Sequence, residues 1–91
     1  MKRTITVSTF RAGTPKEAAL KPLEEAAEVY GAWQRIMHPG KVWPSMKDFT
    51  NFADEIADTI QACVNLADRC GIDLDAALER VAKKNHQRGR Y

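Results

Sequence analysis

Residues 45–67 read SMKDFTNFADEIADTIQACVNLA, and this stretch decides the fold. Phe49, Phe52, Ala53, Ile56, Ile60, Cys63, Val64 and Ala67 recur at the three-and-four spacing of a helical stripe, the longest such pattern in the chain. Ser45 followed three residues on by Asp48 supplies an N-cap, and Gly71 supplies the stop. Downstream, Asp73 caps a third helix whose apolar positions are Leu74, Ala77, Leu78 and Val81. Upstream, Thr14-Pro15-Lys16-Glu17 has the residues of a capping box, so another helix begins there. Pro22 implies either a kink or a fresh start, after which Leu23 to Met37 reads as helix. His38-Pro39-Gly40 ends it, and Val42-Trp43-Pro44 continues the connection. The expectation is an all-α bundle of about three helices over residues 14–91, preceded by an extended arm over residues 1–13 that packs on a neighbour.

At 91 residues the chain holds a single domain, and three short helices are too few to enclose a sizeable ligand. A homodimer or homotetramer is therefore expected, with residues of one chain completing the site of another. No stretch approaches the roughly 18 apolar residues of a membrane span, and Met1-Lys2-Arg3 is not followed by an apolar run, so a cytoplasmic protein is expected. Cys63 and Cys70 stand about 10 Å apart along one helix, too far for a disulfide, and read as buried, reduced thiols. With His38 and His86 isolated, no zinc spacing is present. The net charge of +2 conceals a pattern. Residues 1–11 carry three bases and no acid, residues 83–91 four bases and no acid, and residues 12–82 seven bases against twelve acids.

That acidic middle is organised. Glu24-Glu25-Ala26-Ala27-Glu28 and Asp54-Glu55-Ile56-Ala57-Asp58 each place two acids three apart, one turn from each other on a helix. Packed side by side, the helices bring Glu25, Glu28, Glu55 and Asp58 together, an arrangement whose repulsion makes sense if a divalent cation is bound. The alternative is a solvated acidic face, with some acids paired to Lys21 or Arg35. On a helical wheel Glu25 lies beside Ala18, Val29, Ala32 and Ile36, at the edge of the apolar arc, and is expected half-buried. The alanines framing both motifs allow close helix approach.

Glu24-Glu25-x-x-Glu28 followed by Glu55-x-x-Asp58 resembles the EExxE…ExxD signature of the MazG-like all-α nucleoside triphosphate pyrophosphohydrolases. The ending Lys84-Asn85-His86-Gln87-Arg88-Gly89 is similar to the KNxxRG close of many members, so the likeness runs from about Lys21 to the C-terminus. It implies Mg²⁺, with Mn²⁺ as a substitute, held by Glu25, Glu28, Glu55 and Asp58, and Glu24 either supporting those ligands or acting as base; Glu25 is the other candidate for the base. Lys84, Asn85 and Arg88 would contact the phosphates or ribose of a nucleotide substrate. Trp43, in a proline-flanked loop beside Lys41, is the candidate for a base pocket or lid, whereas Trp33 reads as core. The arm and Pro22 depart from longer members. Two other readings stand: a phosphoribosyl-ATP pyrophosphatase, which shares the acidic motif, and a non-catalytic helical adaptor or nucleic-acid binder using the basic ends. The pyrophosphohydrolase reading carries no stable nucleic-acid partner.

Overall fold

The computed structural model describes residues 2–37 and 45–90. Three helices, α1 (Pro15–Ile36), α2 (Met46–Arg69) and α3 (Leu74–Gln87), make an all-α fold with no strand among the described residues. Their starts are fixed locally. Thr14 Oγ1 accepts the Glu17 N–H at 3.1 Å while Glu17 Oε1 accepts the Thr14 N–H at 3.1 Å, and Ser45 with Asp48 repeats the reciprocal pair at 3.1 and 3.4 Å. Asp73 Oδ1 caps α3 by accepting the Ala76 N–H at 3.1 Å. Such caps contribute about 1 kcal/mol each.

The ends are equally specific. Gly71 sits at φ +69°, and the bonds Ile72 N–H to Ala67 carbonyl (2.9 Å) and Gly71 N–H to Asp68 carbonyl (3.1 Å) satisfy the last carbonyls of α2. Gly89, at φ +76°, closes α3 the same way through Asn85 and His86. Pro22 neither kinks α1 into two helices nor starts a new one, and α1 is continuous across it. The proline forgoes one interior bond to the preceding turn, a loss the flanking turns and the contact with α2 tolerate.

α1 and α2 form an antiparallel pair, with Ala18 of α1 meeting the Ala62 end of α2 and Glu28 meeting Glu55. The buried apolar residues among those described are few, and three of the four are alanines: Ala32, Ile36, Ala62 and Ala67. Small side chains at the contact let the two backbones approach closely. α3 touches α2 sparingly and makes no contact with α1 among the described residues, so Leu78 and Val81 of its apolar face stay exposed. The arm lies along α2 of its own chain. Gln61 Nε2 donates to the Ser8 carbonyl (2.9 Å), the Phe10 N–H to Asn65 Oδ1 (3.1 Å) and Arg69 Nη1 to the Gly13 carbonyl (3.1 Å).

The resulting molecule is open. Its Cα radius of gyration is 15.9 Å, where a compact domain of this length has about 12 Å. Its accessible surface is 7627 Å², about 2300 Å² above the roughly 5300 Å² expected of a monomer of 10.2 kDa. Two expectations of burial fail for this reason. Trp33 is exposed and stacks on Tyr30 with ring centroids 5.9 Å apart, instead of entering the core. Cys63 and Cys70 are free thiols but exposed, because much of the apolar stripe of α2, Phe49 and Ile56 included, has nothing packed over it within the chain. No described helix is long and apolar enough to cross a membrane.

Candidate metal centre

The α1–α2 contact buries a carboxylate at its middle. Glu25 is 8% exposed, the only buried charged residue among those described, and it projects from the same face of α1 as Ala32 and Ile36. One turn along, Glu28 is exposed, and across the interface Glu55 is half-buried. One carboxylate oxygen from each of the three lies within 4.8 Å of the others. The second observation concerns Glu55 alone: its Oε2 is buried and has no hydrogen-bond partner.

The energetics oppose this arrangement in an unliganded protein. Burying an ionised carboxylate costs several kcal/mol, and like charges at this separation repel by about 3 to 4 kcal/mol a pair at an effective dielectric near 20, less where Glu28 reaches solvent. A buried acceptor left unpaired adds a further 1–3 kcal/mol or so. The donor set consists of carboxylate oxygens from two rigid helices, with no sulfur or imidazole, which suits a hard divalent cation such as Mg²⁺ or Mn²⁺. The orphaned oxygen and the donor chemistry therefore both fit a metal ion.

Lys21 supplies the compensation that the chain itself provides. Its Nζ lies 3.2 Å from Glu25 Oε1 and 3.8 Å from Glu24 Oε2. The hydrogen bond to Glu25, reinforced by the charges of Glu25 and then Glu24, holds the ammonium above its ordinary pKa of 10.5. The pairing of an acid with Lys21, anticipated as the alternative to a metal site, is thus present beside the cluster.

Adjoining the cluster is a cleft of about 380 Å³ walled by Phe10 to Gly13 of the arm, by Lys21 and Glu25 of α1, and by Asp58, Gln61 and Arg69 of α2. Asp58 lies here, exposed, one turn beyond Glu55, and is not part of the three-carboxylate group. Glu24 is not part of that group either; its side chain is 60% exposed and lies 3.8 Å from the Lys21 ammonium. Lys84, Asn85 and Arg88 sit on the last turn and cap of α3 and line neither this cleft nor the groove between the arm, α2 and α3. Within one chain they are not brought to the carboxylates. Trp43 lies outside the described residues, as does His38.

Three cleft residues were missed from the sequence. Gln61, Asn65 and Arg69 recur every fourth position and form a polar ridge on α2, the signal that something polar lies along it. No protein-family model matches the chain, and no curated protein matches it.

Proposed function

We propose that the chain is a Mg²⁺-dependent nucleotide pyrophosphohydrolase of the MazG-like type, adding water across the α–β anhydride of a nucleoside triphosphate to give the monophosphate and pyrophosphate. The observation that carries the reading is the convergence of Glu25, Glu28 and Glu55 around a buried oxygen that has no partner. Glu25, Glu28 and Glu55 would hold the ion, with Asp58 joining from the cleft wall. Bound there, Mg²⁺ would supply neutralisation of phosphate charge and a lowered pKa for water. Glu24, adjacent to the cluster but outside it, takes the proton from the attacking water; Glu25, already committed to the ion, is the weaker candidate for that step. The arm and α2 enclose the remainder of the substrate in the cleft.

The phosphate-reading groups come from a second copy in this scheme. A homodimer or homotetramer covers the exposed face of α1 and α2 and delivers Lys84, Asn85 and Arg88 to a neighbouring site. The excess surface of about 2300 Å² is enough to form an interface of standard size, which buries about 800 Å² on each partner. The left-handed φ of +76° at Gly89 gives the Arg-Gly ending a local reason, the closing of α3, that holds for either substrate class. Phosphoribosyl-ATP accordingly belongs in the assay.

The test is pyrophosphate release from a panel of canonical and modified nucleoside triphosphates and from phosphoribosyl-ATP, with and without Mg²⁺. Metal-dependent release from nucleoside triphosphates, reduced at least about 100-fold by Glu28→Gln and by Glu55→Gln, is the expected result. Turnover of phosphoribosyl-ATP alone would reassign the substrate. Release that survives both substitutions would overturn the mechanism.

A further inference from the structure

We propose that Lys21 is the resident counter-cation of the carboxylate cluster, that a divalent ion replaces it on Glu25, and that the displaced ammonium then binds the phosphate groups of the ligand in the adjoining cleft. This rests on the cluster being a metal centre and adds to it an order of binding, metal before anion.

The ion pair has the wrong form for a helix-stabilising device. In an i,i+4 pair the favoured order places the acid toward the N-terminus, and here the lysine precedes the glutamate. The contact is also lopsided. Glu25's side chain is 10% exposed and fixed between the helices, whereas that of Lys21 is 56% exposed, so the lysine can leave without unpacking anything. Its four-carbon stem places the ammonium at the junction of the cluster and the cleft, since Lys21 and Glu25 both line the latter.

Charge makes the exchange directional. Three carboxylates face one ammonium, so a divalent ion matches the cluster better than Lys21 does, and once seated it repels the ammonium it has replaced. The cleft is the exit on which the stem already lies. An anionic ligand entering there meets a lysine released from its internal partner, while in the metal-free protein the same lysine is occupied. The cluster and the anion site are thereby coupled through one side chain.

Calorimetric titration of the full chain with Mn²⁺ tests this, followed by titration of the Mn²⁺-loaded protein with a non-hydrolysable nucleoside triphosphate analogue. Lys21→Met is expected to bind Mn²⁺ about three- to tenfold more tightly than the wild type, because the competing cation is gone. Its metal-loaded form is expected to bind the analogue about tenfold more weakly. Lys21→Gln should behave the same way, and Lys21→Arg, which retains the charge, should bind Mn²⁺ no more tightly than the wild type. Mn²⁺ affinity unchanged or weakened in both neutral variants would overturn the exchange, since removing a cation that competes for Glu25 has to tighten metal binding. Unchanged affinity for the analogue would overturn its second half. A wild-type protein that binds no Mn²⁺ would overturn the metal centre itself, and the proposal with it.

Discussion

The two faces of α1 treat their side chains in opposite ways. Toward α2, the helix buries a glutamate to 8% exposure; away from it, Leu23 is 70% exposed, Tyr30 60% and Met37 61%. Hydropathy alone would sort these residues the other way round. The two faces differ in what they hold: buried charge on the inner one, exposed apolar side chains on the outer one. The inner face lacks positive charge beyond the one ammonium that Lys21 lends it. The outer face lacks apolar cover.

The largest expected effect breaks the inner face. Glu25→Leu exchanges a buried charge for a side chain of similar size, and its partner Lys21, 56% exposed, is left with access to water rather than as a buried unpaired charge. Thermal denaturation at fixed protein concentration should show an unchanged or raised Tm, and pyrophosphate release should fall by at least about 100-fold. A Tm lowered by several degrees would mean that Glu25 is held for structure. Uncovered apolar surface continues on α2, and Ile56→Asp breaks it there, since Ile56 is 41% exposed on the open stripe of that helix. Losing the burial of one isoleucine weakens an interface by roughly 2 kcal/mol, so sedimentation should show a shift toward monomer while far-UV circular dichroism stays unchanged. An unaltered sedimentation profile would place the interface elsewhere.

The smallest effect is at the N-terminal cap of α1, on the rim of the cleft. The Thr14 backbone N–H, and then its hydroxyl, hold the Glu17 carboxyl below its ordinary pKa of 4.5. A carboxyl depressed in the folded state contributes stability that is present above the unfolded value and lost as pH falls through the lower, folded one. Helix content measured by circular dichroism should therefore decline below about pH 4.5, and the part of that decline due to the α1 cap should vanish in Glu17→Gln. Lys21 runs the other way: with its pKa raised, its ion pair contributes below pH 10.5 and is lost as pH climbs through the folded value.

How much of this could be read from the residues follows from the range over which each feature is determined. The capping boxes at Thr14 and Ser45, and the stop at Gly71, depend on neighbours within six positions, and all three stand as the sequence implies. Burial of Glu25 was legible too, because a helical wheel places it beside Ala32 and Ile36. The wheel does not say whether a face is covered, which is why Trp33 and the two cysteines lie in the open. Nor does regular spacing guarantee convergence. Asp58 is related to Glu55 as Glu28 is to Glu25, yet Glu28 joins the three-carboxylate group while Asp58 lines the cleft wall. The docking of the arm was beyond reach, since Gln61, Asn65 and Arg69 find their partners 53 to 57 residues away.

Those separations have a kinetic consequence. A helical pair joined in sequence assembles from nearby segments, whereas the bonds from Ser8, Phe10 and Gly13 to α2 must close a loop of more than fifty residues before they contribute anything. Contacts of this kind form late in folding and, being few and exposed, open first in the folded protein. The Phe10 amide should accordingly exchange with solvent deuterium far sooner than amides in the middle of α1. Since the arm is one wall of the cleft, the cleft has a lifetime of its own, shorter than that of the fold that carries it.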